Sequence, residues 1–177
     1  MEATGRPAFS GELRRVRTGD ASAIERILAA WLPGDAASEA AVRAMSETST
    51  EHVLVAIDAT AGVVGLMGLE FEGIRPPLFE PTEQPASLIL AYVDPDHRGR
   101  GVGSALADAL EAHAVAAGCD RLIVVSGARS RDVGYAFWQS RYGRMAVFEA
   151  DHFAPGVERV AWSVPLPRPR TLSGGRS

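Results

Sequence analysis

The sequence of 177 residues contains no lysine and no asparagine, so all 18 of its basic residues are arginines. Without lysine, the chain cannot form a Walker phosphate loop, whose lysine binds the terminal phosphates, or a lysine Schiff base. The single cysteine, Cys119, has no partner for an intramolecular disulfide and excludes a cysteine-rich metal framework. The four histidines follow no ligand spacing, so no metal site is predicted.

Long apolar runs and a targeting segment are also missing. No stretch reaches the roughly 18 to 20 uninterrupted apolar residues that span a bilayer. The first residues, MEATG, lack a basic start followed by an apolar stretch. Together with the lone cysteine, these absences predict a cytoplasmic protein without a membrane partner. The formal net charge of −4 argues against a nucleic-acid partner.

The sequence does have the composition of a globular protein, with 46% hydrophobic and 23% charged residues. Its periodicity predicts one domain, residues 12–165, with flexible termini at 1–11 and 166–177. The element order β-α-α-β-β-β-α-β-α-β-β indicates an α/β (α+β) fold with a mixed sheet and helices on both faces. Strands are predicted at 12–17, 52–58, 63–71, 87–93, 121–126, 145–150 and 159–165, and helices after Thr18 or Asp20, after Asp35 or Ser38, from Val102 to Ala117 and from Asp132 to Tyr142.

One connection carries the clearest chemical signal, the segment DPDHRGRGVGS that follows the predicted strand ending at Val93. Its three glycines, Gly99, Gly101 and Gly103, stand where a strand gives way to a helix. Glycines there let backbone N–H groups turn toward one point beside the positive end of the helix dipole. A tight turn alone would also use glycines, but the two arginines and the periodic helix that follows favour an anion site, typically for phosphate.

The glycine spacing distinguishes between the classes of phosphate-bearing ligand that such a loop can bind. The dinucleotide fingerprint G-x-G-x-x-G fails, because it would need glycine at Ser104 or at Leu106. The segment instead fits [Q/R]-x-x-G-x-[G/A] at residues 98–103, and the longer pattern V-x-P-x-x-R-G-x-G-x-G at residues 93–103. With these motifs and its element order, the sequence resembles the GNAT superfamily of acetyl-CoA-dependent N-acetyltransferases.

The resemblance implies the GNAT-like acyl-CoA N-acyltransferase fold, acetyl-CoA as the acyl donor and no metal. In that family the glycine loop cradles the pyrophosphate of coenzyme A, and the preceding strand splays so that its backbone binds pantetheine. The acceptor would be a primary amine of a small molecule or peptide, and a homodimer through the C-terminal strands is plausible. By resemblance, the cofactor-binding residues are Ala91, Tyr92, Val93, Arg98, Gly99, Arg100, Gly101, Val102, Gly103 and Ser104.

Proton removal from the amine has no clear candidate in the sequence. The amine must be neutral to attack, although an unperturbed alkylamine has a pKa of about 10. Histone-type members carry a glutamate six positions before the strand-ending valine, but here that position is Ser87. Glu83 can act as the base through water, as can Glu70 or Glu72, while a solvated surface acid is the simpler interpretation of each.

A proton donor for the departing thiolate is equally open. Many members use the tyrosine of a Phe-Tyr pair, which here reads Phe137-Trp138, and an indole does not give up a proton at neutral pH. Tyr135 and Tyr142 share a helical face with Trp138, and Tyr142 is the slightly preferred donor. The alternative is that these aromatic residues only pack the helix against the sheet.

The sequence therefore predicts an N-acetyltransferase in which the amine attacks acetyl-CoA directly in a ternary complex. A non-catalytic coenzyme A sensor or scaffold is the alternative, because Trp138 and Ser87 stand where the family often has catalytic groups. A nucleotide-binding domain is a third possibility. Trp31 and Trp162 are interpreted as core or subunit-contact residues.

Overall fold

The computed structural model describes residues 8–32, 52–71, 84–127, 131–143, 146–148 and 159–167. These residues fall into two compact units. The first unit comprises the described residues up to 70 together with 87–110. The second comprises residue 71, residues 84–86 and the described residues from 111 onward.

The first unit contains an antiparallel sheet of four strands in the order β1-β2-β3-β4. Their bounds are Glu12–Arg15 for β1, Val53–Asp58 for β2, Gly62–Glu70 for β3 and Pro85–Val93 for β4. Strands β2 and β3, both predicted from the sequence, form a hairpin around a short turn. A helix packs its apolar residues on this sheet, and the resulting core cluster comprises Val16, Ile24, Ile27, Leu28, Val53, Val55, Val63 and Leu66.

That helix, α1, spans Ala21–Ala29 and follows a 3₁₀ turn over Thr18–Asp20. The sequence predicts Thr18 or Asp20 as the N-cap, and Asp20 stands at that position. Its carboxylate nevertheless accepts from the Arg17 N–H at 2.8 Å and from the Arg14 guanidinium at 2.7 Å, and makes no hydrogen bond to the helix. The hydrogen bond from Arg14 holds the pKa of Asp20 below its ordinary value. Asp20 therefore fastens β1 to the turn before α1.

Helix α2 spans Val102–Ala116, one residue shorter than predicted. Its start lies close to β3 because β3 has a glycine at position 65. A Cβ atom there would lie 2.9 Å from Cγ1 of Val102 and 3.2 Å from the Tyr92 carbonyl oxygen. Gly65 thus permits the close approach that sets the position of the α2 N-terminus.

The second unit contains β5 (Arg121–Gly127), β6 (Ala146–Phe148) and β7 (Arg159–Pro165), antiparallel in the order β5-β7-β6. Helix α3 spans Ala136–Tyr142 and follows a π-helical turn over Arg131–Tyr135, so the single helix predicted from Asp132 begins with a wider turn.

Trp138 and Trp162 are almost completely buried. A core position is thus confirmed for Trp162.

Two predicted features fall wholly or partly outside the described residues: the second helix, after Asp35 or Ser38, and the strand predicted at 145–150, of which residues 146–148 are described. No helix in the described part of the chain combines the length and the apolar character needed to cross a membrane.

Candidate active site

The end of β4 departs from regular strand geometry. Leu66 pairs with Tyr92 and Gly68 pairs with Ile89, so β4 has one extra residue over this interval, a β-bulge. Leu90 lies in the bulge with φ of 55° and is the single non-glycine residue with positive φ in the described segments. Bulges of this kind are frequent next to active sites. The bulge interrupts the ladder with β3 just before the backbone predicted to bind pantetheine.

Substitution at Leu90 tests whether the bulge is strained. Because a left-handed conformation costs a non-glycine residue about 1–2 kcal/mol, Leu90→Gly should be more stable than Leu90→Ala by about 1 kcal/mol. Both variants lose the same apolar contacts, so their difference isolates the backbone. The measurement is urea unfolding followed by circular dichroism. The ordinary strand preference, in which alanine is the more stable, would contradict a strained bulge.

The chain leaves β4 through a 3₁₀ turn over Pro95–His97. The Asp94 carboxylate accepts from the Asp96 N–H at 3.0 Å, and the Asp94 N–H donates to the Val64 carbonyl at 2.9 Å. A proline at the first position of the turn fixes φ without losing a needed donor. These contacts fasten the turn to β3 and fix where the glycine loop begins.

The loop after this turn adopts the conformation that its glycines predict. Gly99 and Gly101 have φ of 72° and 82°. A Cβ atom on Gly99 would meet nothing within 4 Å, so the backbone conformation, rather than lack of space, requires glycine there. Helix α2 begins directly after the loop, and the Ala105 N–H donates to the Gly101 carbonyl at 2.9 Å. The N–H groups of the first turn remain available beside the positive end of the helix dipole.

Arg98, the motif arginine, stands on the ring of Trp31. Its guanidinium carbon lies 4.2 Å from the Trp31 ring centroid, which is cation–π geometry. The Arg98 Nε atom is buried and has no hydrogen-bond partner among the described residues. No carboxylate of those residues forms an ion pair with Arg98 either. Within the described part of the chain, the positive charge of Arg98 is therefore not compensated by an acidic side chain.

Together these residues fit the diphosphate of coenzyme A. A diphosphate needs several hydrogen-bond donors and positive charge at one place. The glycine loop offers the donors, the N-terminus of α2 offers the dipole, and Arg98 offers a positive charge. Arg100, which follows in the same loop, is exposed. Gly103 and Ser104 lie in the first turn of α2, as the motif predicts.

Tyr142 lies in a cluster on the second unit. Its hydroxyl donates to Oε1 of Glu111 at 2.6 Å, and the same oxygen accepts from Arg141 Nε at 2.8 Å and Nη2 at 2.6 Å. The ring stacks on Trp138 at a centroid distance of 5.7 Å. Burial, followed by the hydrogen bond to Glu111, raises the pKa of Tyr142 above its ordinary value. The phenol is thus a weaker acid than a solvated tyrosine.

Tyr135 occupies a different environment in the same unit. Its side chain is buried, its ring meets Trp162 edge to face at 6.1 Å, and its hydroxyl donates to the Ser126 carbonyl at 3.3 Å. Tyr135 ends the π-helical turn before α3, and such turns are frequent at functional sites. No metal-binding group of three or more His, Cys, Asp or Glu residues occurs within the described residues.

Of the three glutamates that the sequence offers as bases, only Glu70 lies within the described residues. Glu83 and Glu72 lie outside them. Glu70 is the last residue of β3 and pairs with Ser87 in the register with β4. In an antiparallel pair, directly opposite side chains project from the same face of the sheet. Glu70 therefore stands beside the strand position where histone-type members carry a glutamate, an arrangement that the separation in sequence does not reveal.

The bulged strand and the glycine loop before a helix form a site suited to a ligand that carries phosphate groups. Residues 22–143 match the Acetyltransferase (GNAT) family, and the chain belongs to that family. The prediction of an acyltransferase enzyme is thereby confirmed. None of the curated proteins matches the chain in sequence.

Solved structures of acetyltransferases share the fold. An aminoglycoside 6'-N-acetyltransferase complexed with coenzyme A has a TM-score of 0.66 at 15% identity, over 89% of this chain and 99% of that one. The NatC complex bound to Gag peptide and CoA has a TM-score of 0.65 at 14% identity, over 88% and 98%. A phosphinothricin acetyltransferase from Sinorhizobium meliloti in complex with AcCoA has a TM-score of 0.61 at 20% identity, over 89% of each chain. The predicted GNAT-like α/β fold is confirmed.

Proposed function

We propose that this protein transfers the acetyl group of acetyl-CoA to a primary amine of a small molecule or peptide. The observation that carries the proposal is the position of Arg98, which has no acidic partner among the described residues, beside a left-handed glycine loop at the start of α2. The similar solved structures include complexes with coenzyme A, acetyl-CoA and a peptide, which support this donor and this range of acceptors. Residues 12–165 would form one cytoplasmic catalytic domain, as a monomer or a homodimer.

In the proposed complex, the loop N–H groups and Arg98 bind the diphosphate, and backbone groups of residues 91–93 bind the pantetheine arm. Acetyl-CoA supplies the thioester. The amine nitrogen forms the new C–N bond at the carbonyl carbon while the C–S bond breaks; the nitrogen loses a proton and the thiolate gains one. A backbone N–H near Val93 would stabilise the negative charge that develops on the carbonyl oxygen.

For proton removal we favour Glu70 among the described carboxylates. Its position opposite Ser87 supports this role, since a carboxylate at that point of the sheet can accept the amine proton through one water. Glu83 remains the candidate predicted from sequence. Glu70→Gln should lower kcat/KM at neutral pH, whereas Glu83→Gln should leave it unchanged. A loss of kcat/KM in Glu83→Gln but not in Glu70→Gln would identify Glu83 as the base.

For the thiolate we favour Tyr135 over Tyr142, which reverses the preference drawn from sequence. The Tyr142 hydroxyl donates a hydrogen bond to the Glu111 carboxylate, and the raised pKa of Tyr142 makes release of its proton less favourable. The Tyr135 hydroxyl donates to the neutral Ser126 carbonyl at 3.3 Å, a longer hydrogen bond than the 2.6 Å bond from Tyr142 to Glu111. A hydroxyl that donates to a neutral carbonyl gives up that hydrogen bond more easily than one that donates to a carboxylate, because charge-assisted hydrogen bonds are stronger.

Thiol release from acetyl-CoA, measured with a panel of amines, tests the function. Tyr135→Phe is expected to lower kcat by about 10- to 100-fold, in the lower range for general acid catalysis, without changing the dissociation constant of coenzyme A. Tyr142→Phe is the matched control and should retain most of the turnover. A larger loss in the Tyr142 variant would overturn the assignment. Coenzyme A binding with no turnover for any amine would instead favour the sensor or scaffold function.

A further inference from the structure

Trp31 lies just beyond the end of α1, in a position that the helix holds firmly. The N–H groups of Trp31 and Leu32 both donate to the Leu28 carbonyl, at 2.9 and 2.8 Å. Helix α1 is in turn fastened to the sheet, because Leu28 is fully buried and Arg26 donates to the Val63 carbonyl at 3.1 Å. The backbone that carries the indole is therefore well anchored.

The indole of Trp31 contacts both parts of the proposed cofactor site. Its Nε1–H donates to the Val93 carbonyl at 3.2 Å, at the end of β4. Its ring lies under the Arg98 guanidinium at 4.2 Å and meets the Tyr92 ring edge to face at 5.9 Å. One side chain thus touches the strand end proposed for pantetheine and the arginine proposed for the diphosphate.

Arg98 depends on this contact for its orientation. Long arginine side chains have considerable rotamer entropy, which an ion pair or hydrogen bond usually restrains. Here the Nε atom has no hydrogen-bond partner, and no described carboxylate pairs with the guanidinium. A ring stacked on one face of the guanidinium restricts it while leaving its N–H groups, which lie in the guanidinium plane, to an anion.

We propose that Trp31 is a positioning residue for coenzyme A, which acts on the diphosphate by orienting Arg98. This inference rests on the proposed function, since it requires that the glycine loop bind the cofactor. It gives the residues directly after α1, which lie outside the glycine motif, an indirect part in cofactor binding. It also changes the interpretation of Trp31 from a core or subunit-contact residue to a residue of the site.

A double-mutant cycle tests the coupling between Trp31 and Arg98. Calorimetry with coenzyme A should show that Trp31→Leu raises the dissociation constant by about 5- to 30-fold, the range of a partly desolvated cation–π contact plus lost orientation. Arg98→Ala should have at least the same effect. The dissociation constant of the double variant should lie within about 2-fold of that of Arg98→Ala, because Trp31 acts through the arginine.

Two further measurements separate this role from a structural one. Trp31→Phe keeps a ring for Arg98 and should bind coenzyme A within about 3-fold of the wild type. S-acetyl-pantetheine lacks the diphosphate, so its KM should change little in Arg98→Ala. Ile27→Val perturbs the buried face of the same helix without touching Arg98, and should leave coenzyme A affinity unchanged. Trp31→Met takes the place of Trp31→Leu, with the same expectation, if the leucine variant does not fold.

Each outcome is decisive. Wild-type affinity in the Trp31→Leu variant, or losses that multiply in the double variant, would overturn the positioning role while leaving the acetyltransferase proposal intact. Failure of the wild-type chain to bind coenzyme A would instead overturn the proposed function and, with it, this inference.

Discussion

Gly101→Val is expected to lower the affinity for coenzyme A by at least about 100-fold, the loss of roughly two charge-assisted hydrogen bonds. A β-branched residue does not tolerate φ of 82°, so the loop must change its backbone conformation and withdraw N–H groups from the diphosphate. The fold should survive, because the residue lies in a loop before α2. Isothermal calorimetry with coenzyme A measures the affinity, and circular dichroism monitors folding.

A matched pair of milder variants controls for backbone strain. Gly99 and Gly62 have φ of 72° and 74°, and a Cβ atom on either would meet nothing within 4 Å. Alanine should therefore cost each about 1 kcal/mol of stability. Only Gly99→Ala should weaken coenzyme A binding, since Gly62 begins β3 and has no place in the loop. Equal loss of affinity in both variants, or in neither, would contradict a specific role for the loop.

Gly65→Val is expected to destabilise the fold by about 3 kcal/mol, at the upper end for overpacking. The first added carbon alone would lie 2.9 Å from Val102 Cγ1 and 3.2 Å from a backbone oxygen, which cannot move without distorting β4. The start of α2 must shift away from the sheet, so coenzyme A affinity should fall together with stability. Urea unfolding of the wild type and of Gly65→Val measures the loss of stability, and calorimetry measures the loss of coenzyme A affinity.

A compensating substitution identifies the cause. Val102→Ala removes the atom nearest to the new Cβ, so in a Gly65→Ala background it should recover at least about 1 kcal/mol relative to the sum of the single effects. Gly62→Ala combined with Val102→Ala provides the control, because nothing surrounds Gly62 and the two effects should add. Additivity in the Gly65 pair would show that helix packing does not require this glycine.

Much of the fold could be predicted because local patterns govern it. The apolar spacing of α2 recurs at Val102, Leu106, Leu110 and Ala114, and all four side chains are buried as that spacing predicts. The hairpin of β2 and β3 follows from two β-rich runs around a short turn. The glycine loop was predictable for the same reason, since its motif is contiguous and its φ angles depend on residue type.

The features that the sequence concealed depend on contacts between distant segments or on backbone geometry. Nothing local marks Leu90 as left-handed, and a leucine is the residue that a regular strand would choose. Trp31 and Arg98 meet only because α1 ends beside β4. Glu111 and Tyr142 are likewise brought together by packing, so the hydrogen bond from the Tyr142 hydroxyl to Glu111 could not be inferred from helical spacing.

Calorimetric titration of the purified chain with coenzyme A, in parallel with pantetheine, which lacks the diphosphate, tests whether the glycine loop binds the cofactor. We expect saturable binding of coenzyme A at one site, much weaker binding of pantetheine, and loss of this difference in Gly101→Val. Equal binding of the two compounds by the wild type, or a wild-type chain that takes up neither, would contradict this expectation.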